Sequence, residues 1–175
     1  QRLSPDERLA WGETLQNLLF SRQDVQGLLN LAAEMEREGA PFSRSRACFE
    51  RLLELAPNDP AILEAAADLS ERAGDRVGAL HLLERLAALQ NPPSPELLRR
   101  LAAHYEAQGR AAEAMRRRAQ LVEAGTATLN EKLMVVDDLF SRGEYDKVIS
   151  LIGNDEALRS HGRAACTLAF ALYES

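Results

Sequence analysis

The stretch that decides the fold runs from Pro60 to Pro93 and reads PAILEAAADLSERAGDRVGALHLLERLAALQNPP. Apolar residues recur in it every three or four positions, which is the period of one face of a helix. Gly74 interrupts this pattern, and prolines stand at both ends. The stretch therefore predicts two helices, near Pro60–Ala73 and near Arg76–Leu89, joined by a turn at the glycine.

Small residues stand where these two helices would face one another. The predicted contact residues are Leu63, Ala66, Ala67 and Ser70 in the first helix and Ala79, Leu80, Leu83 and Leu86 in the second. Alanine lets two helix axes approach closely, and leucine fills the adjoining grooves. Ala102 and Ala114 stand at the matching positions of the next pair. We therefore expect antiparallel helix pairs that pack closely along their length.

Glycines recur at a fixed interval and extend the pattern along the chain. Gly39, Gly74, Gly109 and Gly143 follow one another at spacings of 35, 35 and 34 residues. Each closes a helical pattern, where glycine can adopt the left-handed conformation that satisfies the last carbonyl groups. A fixed period of this length is typical of stacked repeat units. The sequence therefore predicts an array of helix pairs.

Composition agrees with a helical chain. Of 175 residues, 28 are Ala and 29 are Leu, whereas Val, Ile and Thr number six, three and four. Ala and Leu favour helices, and the β-branched residues favour strands. This imbalance excludes an all-β protein and disfavours a parallel α/β sheet. The nine aromatic residues leave the core to Leu and Ala.

Charge disfavours nucleic acid and membranes as partners. The chain has 21 basic and 27 acidic residues, a formal charge of −6, whereas binding to phosphate backbones needs a clustered basic face. The basic run Arg116–Arg118 cannot form one patch, because consecutive residues splay around a helix. We expect it to lie on a solvated face and to pair with Glu113. No apolar run is long enough to span a bilayer.

No catalytic or metal-binding motif is present in the sequence. It has no phosphate-binding glycine loop, no nucleophile elbow and no zinc-binding histidine pair. His81, His104 and His161 lack metal-ligand spacing. Cys48 and Cys166 are expected to be buried or half-buried thiols, with a pairing between them left open. We therefore expect no enzymatic activity, cofactor or metal.

The repeat resembles that of the tetratricopeptide-repeat family. The residues on that family's marked positions are Leu63, Ala66, Ala67, Gly74, Ala79, Leu83 and Leu86. Arg118 departs from the pattern where an aromatic residue is usual, as does Lys132 where a large apolar one is usual, and Pro41 marks an insertion after Gly39. The resemblance implies an all-α, right-handed superhelical solenoid of antiparallel helix pairs with about ten helices.

The glycines and prolines that bound the predicted helices divide the chain into repeat units of one solenoid domain, 1–175. The expected repeats are 24–57, 60–93, 95–128 and 129–153, with partial repeats at 8–22 and 158–175. The first partial repeat reads as a second helix without its first, and the last reads as a first helix without its second. We therefore expect a segment of a longer solenoid.

In proteins of this family, the first helix of each pair lines a groove that binds a partner. When the groove positions of the family are carried over residue by residue, the resemblance implies these candidate groove residues: Asn30, Arg37, Glu64, Asp68, Arg72, Arg99, Glu106, Asp137 and Phe140. The Lys and Asn with which one subset of the family grips a C-terminal carboxylate are absent from the matching positions. Glu64 and Asp68 form an acidic patch, which predicts a basic or amphipathic segment as the occupant.

The function predicted from these features is a non-enzymatic scaffold that docks another protein in an export or assembly complex. A looser resemblance is to the periplasmic repeat arrays of exopolysaccharide export proteins of the Pel type. It implies a periplasmic location, a role in biofilm secretion and a periplasmic polysaccharide-modifying enzyme as the partner. The alternative is a cytoplasmic regulatory or assembly module that self-associates weakly through its open ends.

Overall fold

The computed structural model of the chain describes residues 5–38 and 42–174, which form eleven helices and no strand. The helices are α1 (Pro5–Ser21), α2 (Val25–Arg37), α3 (Phe42–Leu55), α4 (Pro60–Arg72), α5 (Arg76–Leu89), α6 (Pro95–Ala107), α7 (Ala111–Glu123), α8 (Leu129–Ser141), α9 (Tyr145–Gly153), α10 (Glu156–Arg159) and α11 (Gly162–Glu174). The all-α prediction is confirmed, and the single-turn α10 is an addition to it. Gly39 and Pro41 lie outside the described residues.

The helices form two compact units, one ending at Pro92 and the other beginning at Pro93. In the first unit, α2 packs on α3 and α4 on α5, while α1 packs on α2. In the second, α6 packs on α7 and α8 on α9, and α11 packs on α9 and α8. Helices that follow one another in the chain are therefore neighbours within each unit. The single-domain organisation predicted from the repeat stays a prediction.

Each described repeat glycine closes a first helix in the left-handed conformation. Gly74, Gly109 and Gly143 have φ angles of +78°, +74° and +72°. After Gly74, the N–H of Asp75 donates to the carbonyl oxygen of Ser70 at 2.9 Å, so the last turn of α4 is closed by the chain that leaves it. This conformation explains why glycine marks the period, since other residues adopt it at a cost.

Leucine and alanine supply most of the buried contact in the pairs α4/α5 and α6/α7, as predicted, whereas Val136, Val148 and Ile152 supply it between α8 and α9. Leu63 of α4 and Leu83 of α5 are fully buried, and so are Leu101 of α6 and Leu121 of α7. The alanines predicted at close contacts, each with an exposed fraction of 3% or less, are Ala66, Ala67, Ala79, Ala102 and Ala114. Because alanine adds little bulk, the leucines of the facing helix fill the space between the axes.

Helix starts use the cap residues that the sequence shows next to proline. The Asp59 side chain accepts a hydrogen bond from the N–H of Ile62, and Pro60 is the first residue of α4. The hydroxyl of Ser94 accepts from the N–H of Leu97 at 3.2 Å, ahead of α6. Each cap satisfies amide groups that have no partner inside the helix.

Lys132, at a position that is usually apolar, is neutralised inside the second unit. Lys132 Nζ lies 2.5 Å from Asp155 Oδ2, and the two side chains are only 22% and 19% exposed. Asp155 also caps α10, because its side chain accepts from the N–H of Leu158 at 3.0 Å. The ion pair therefore fixes the short helix α10 against α8.

The structure corrects the prediction made for the basic run. Arg118 does not lie on a solvated face beside Glu113: its side chain is 11% exposed, and Nη1 lies 2.7 Å from Glu106 Oε1 in an ion pair. Glu113 instead pairs with Arg110 at 3.0 Å. The Arg116 side chain is exposed, so the run does splay around α7. Arg118 takes the place of the usual aromatic because Glu106 compensates its charge.

The two cysteines are free and differ in environment. Cys48 is fully buried, its Sγ donates to the carbonyl oxygen of Leu28 at 3.3 Å, and burial raises the pKa of its thiol to about 11. Cys166 is exposed, so the prediction that it is at least half-buried is wrong. The physical reason is its position on a face of α11 that no described helix covers. No described helix is both long and apolar enough to cross a membrane.

Candidate protein-binding site

A groove lies between α2 and α4 in the first unit. Its volume is about 420 Å³. The lining residues are Leu29, Asn30 and Ala33 of α2, Phe49 of α3, and Ala65, Asp68 and Arg72 of α4. Phe49 is 6% exposed and lies at the floor. We refer to these seven residues as the α2–α4 groove.

The α2–α4 groove brings together three residues that the sequence predicts for partner binding. Asn30 comes from α2, and Asp68 and Arg72 come from successive turns of α4. Residues that are three or four positions apart lie on the same face of a helix. Asp68 and Arg72 therefore line the groove from α4, and Asn30 lines it from α2. Glu64 is exposed one turn before Asp68 on the same face. Arg37 does not line the groove and pairs with Glu34.

Local hydrogen bonds orient the polar side chains of the α2–α4 groove. Asn30 Oδ1 accepts from Gln26 Nε2 at 3.1 Å, and Arg72 Nε donates to the carbonyl oxygen of Asp68 at 3.2 Å. Each contact joins successive turns of one helix, and the apolar part of the lining comes from Leu29, Ala33, Ala65 and Phe49. The groove thus offers an apolar floor bordered by carboxylate, amide and guanidinium groups, which suits a segment with one apolar face.

The predicted binding residues of the second unit take part in contacts within that unit. Arg99 Nε donates to Glu131 Oε1 at 2.9 Å, and an Arg99 Nη donates to the carbonyl oxygen of Thr126 at 2.7 Å, which fixes the start of α8 to α6. Phe140 packs on Tyr145 with ring centroids 5.5 Å apart. These contacts give both side chains a structural role.

The two predicted carboxylates of the second unit are also engaged. Asp137 lies 2.5 Å from Arg163 of α11, and Glu106 pairs with Arg118. The hydrogen bond from Arg118 lowers the pKa of Glu106. Neither carboxylate lines the α2–α4 groove or the cavity described next. Their role in binding stays a prediction.

A larger cavity of about 740 Å³ lies between α7 and α9, over α8. Its apolar lining residues are Ala112, Met115, Ala119, Val122, Val135, Leu139 and Leu151. Its charged lining residues are Arg116, Glu123, Lys132, Asp138, Arg142, Glu144, Lys147 and Asp155. We refer to this site as the α7–α9 cavity. Sequence reasoning missed it because the walls come from second helices, whereas the family resemblance points to first helices.

The charges around the α7–α9 cavity compensate one another. Arg142 lies 2.5 Å from Asp138 and 3.0 Å from Glu144, and Lys147 lies 2.5 Å from Glu144. Four cations and four anions line the site, so it has no net charge to select a charged partner. The lining of the α2–α4 groove holds one anion and one cation, Asp68 and Arg72, and exposed Glu64 beside Asp68 adds one net negative charge at its border.

The described residues contain no group of three or more His, Cys, Asp or Glu side chains placed to hold a metal ion. The polar groups of the two sites lie on open surfaces and suit recognition of a partner.

Comparison with known proteins identifies the fold. No family model and no curated protein matches the sequence. Among solved structures, MamA is similar with a TM-score of 0.55 at 12% identity, covering 99% of this chain and 96% of MamA. YrrB, described as a TPR protein with an unusual peptide-binding site, gives a TM-score of 0.55 at 16% identity, covering 93% and 89% of the two chains.

A third similar structure is a tetratricopeptide repeat protein from Parabacteroides merdae ATCC 43184. Its TM-score is 0.56 at 18% identity, with 97% of this chain and 67% of that chain covered. These likenesses span nearly the whole chain and agree with its glycine-punctuated helix pairs. The chain therefore has the fold of the tetratricopeptide-repeat proteins.

Proposed function

We propose that the chain is a non-enzymatic scaffold that binds a segment of another protein in the α2–α4 groove. The observation that carries this proposal is the convergence of Asn30, Asp68 and Arg72 from two helices over the buried Phe49. The similarity to YrrB, which is described as binding peptides, supports the same function class.

The chemistry of the groove favours a basic amphipathic occupant. Leu29, Ala33 and Phe49 supply apolar surface, and Glu64 and Asp68 place two carboxylates one turn apart on the exposed side of α4. An amphipathic helix docks by laying its apolar face into such a groove. Lysine or arginine beside that face would meet the two carboxylates, whose attraction weakens as salt is added.

Binding of two designed peptides tests the proposal. One is an amphipathic helix of Leu and Lys, about 18 residues or five turns long, and the other has Glu in place of every Lys. We expect fluorescence anisotropy to show tighter binding of the Lys peptide. The double substitution Glu64→Lys and Asp68→Lys should weaken that binding by roughly tenfold, because it turns two attractions into repulsions.

A matched control separates the groove from the overall charge of the chain. Glu54→Lys changes the charge of an exposed residue on α3 that does not line the groove, and should leave the affinity nearly unchanged. Equal weakening by Glu54→Lys, or an unchanged affinity in the double variant, would remove the groove from consideration.

The complex and the compartment in which the scaffold works are a second part of the proposal. We propose that the scaffold belongs to a longer bacterial repeat protein of an export or assembly complex, as its degenerate Ala-, Leu- and Arg-rich repeats suggest. Fractionation of cells that produce the full protein tests the periplasmic location, and a cytoplasmic protein would contradict the export role.

A further inference from the structure

The α7–α9 cavity is elongated along its helices. Its wall on α7 runs from Ala112 to Glu123, a length of about 16 Å or three helical turns. Helix α8 forms the floor, and the opposite wall is α9, which has nine residues where α7 has 13. Helix α6 packs on α7, and α10 and α11 pack on α9. The cavity therefore lies between helices that are each packed on described neighbours.

The apolar lining of the α7–α9 cavity follows the period of a helix. Its members on α7 are spaced by three and four residues, which places them on one face of that helix. They are Ala112, Met115, Ala119 and Val122. Alanine at the first and third of these positions leaves grooves that large side chains of another helix can enter. The lining thus suits the apolar face of a helical segment.

Two ion pairs show which ends of the helices meet. Lys132, near the start of α8, contacts Asp155, two residues after the end of α9. Arg142, directly after α8, contacts Glu144, directly before α9. Helix α7 ends at Glu123, and only the five residues 124–128 separate it from the start of α8. The end of α7, the start of α8 and the end of α9 therefore lie at the same end of the cavity.

Charge is separated along the α7–α9 cavity, although it cancels overall. We refer to Glu123, Lys132 and Asp155 as the acidic end, and to Arg116, Asp138, Arg142, Glu144 and Lys147 as the basic end. One cation and two anions give the acidic end a formal charge of −1, and three cations and two anions give the basic end a formal charge of +1. Helix dipoles add to the separation, because α7 and α9 both end at the acidic end, whereas only α8 begins there.

Arg116 and Glu123 are the two charges best placed to contact an occupant. Both residues are exposed, and the seven residues between their positions correspond to about 10 Å along α7. Two whole turns separate them, so they lie on the same face of the helix. The other cations of the two ends have carboxylate partners within the lining. One face of α7 therefore presents a cation toward the basic end and an anion at the acidic end.

We propose that the α7–α9 cavity binds a second protein segment, an amphipathic helix whose acidic and basic residues are segregated toward opposite ends. The acidic part of this segment contacts Arg116, and the basic part contacts Glu123. The inference goes beyond the proposed function, because the cavity shares no residue with the α2–α4 groove and selects a different pattern of charge. The scaffold then has separate sites for two segments of different chemistry.

Two designed helical peptides of identical composition test the proposal. Each has about 14 residues or four turns, with Leu and Ala on one face and equal numbers of Glu and Lys beside it. In the segregated peptide, Glu occupies one half and Lys the other; in the interleaved peptide, the two alternate. We expect fluorescence anisotropy to show at least roughly fivefold tighter binding of the segregated peptide, because two exposed ion pairs form in its complex alone.

The double variant Arg116→Gln and Glu123→Gln removes the separated charges and leaves the formal charge of the chain at −6. The ratio of the two affinities should fall nearly to the value set by the peptides themselves, roughly a fivefold loss. The matched control is Arg46→Gln with Glu50→Gln, an exposed ion pair on α3 outside the cavity, and should keep the ratio unchanged.

The location of the bound peptide separates this proposal from that for the α2–α4 groove. In hydrogen exchange, the segregated peptide should protect Ala111–Glu123 and Tyr145–Gly153. The double variant Glu64→Lys and Asp68→Lys should leave the affinity ratio unchanged, so either site can fail while the other holds. Equal affinity for the two peptides, an unchanged ratio in the Arg116 and Glu123 variant, or protection of α2 and α4 instead would overturn the proposal.

Discussion

Single residues show how charges occupy apolar positions of the repeat. Lys132 stands where the pattern prefers a large apolar residue, and Asp155 neutralises it at 2.5 Å. Arg118 stands where an aromatic residue is usual, and Glu106 neutralises it at 2.7 Å. A poorly exposed charge is tolerated when a partner compensates it. The degenerate repeat therefore keeps its fold through compensating pairs that lie far apart in sequence.

The two thiols should differ in reactivity. At pH 8, the thiol reagent 5,5′-dithiobis(2-nitrobenzoate) should modify exposed Cys166 quickly and buried Cys48 slowly. The pKa of about 11 for Cys48 against its usual 9.0 implies about 100-fold less thiolate, and burial restricts access further. The measurement is the rate of absorbance change, with Cys166→Ser removing the fast phase. Two equally fast phases would show that Cys48 is not buried.

At the scale of elements, the helix boundaries follow from short signals in the sequence. The pattern predicts helices near Pro60–Ala73 and Arg76–Leu89, and the structure has them at Pro60–Arg72 and Arg76–Leu89. Glycine, proline and the cap residues determine these limits through local backbone chemistry. The short helix α10 was not predicted, because its position depends on the contact of Asp155 with Lys132 of α8.

The ion pair that fixes α10 should make stability depend on pH. The hydrogen bond from Lys132, together with the N–H of Leu158, lowers the pKa of Asp155 in the folded chain. A lowered pKa stabilises the fold above the unfolded-state pKa, and this contribution is lost as the pH falls through the folded-state value. We expect Asp155→Asn to lower the free energy of unfolding by about 1 kcal/mol at pH 7 and by much less near pH 2.

Urea unfolding at the two pH values measures this difference. Asparagine is also a good N-cap, so the substitution tests the charge and leaves the cap in place. Glu174→Gln, at an exposed residue of α11, is the control and should have little effect at either pH. If Asp155→Asn lowered the free energy of unfolding equally at both pH values, the charge of Asp155 would contribute nothing to stability.

At the scale of the whole molecule, the fold could be predicted from the sequence better than the binding site. The periodic glycines determine the turns, and the Ala- and Leu-rich faces determine the contacts between neighbouring helices. Both leave a pattern that can be recognised in a single sequence. Three predicted residues do meet in the α2–α4 groove, because spacing along a helix determines which side chains share a face. The engagement of Arg99 with Glu131 could not be predicted, since it depends on distances between helices.

The most direct test of the central claim is hydrogen exchange of the chain with and without the Leu and Lys peptide. If the α2–α4 groove binds the segment, deuterium uptake should fall in Val25–Arg37 and Pro60–Arg72, because an occupant slows the local opening of the helices that it touches. Uptake in Ala111–Glu123 and Tyr145–Gly153, the walls of the α7–α9 cavity, should not change. Protection of those two helices in place of α2 and α4, or no protection at a saturating peptide concentration, would contradict the account.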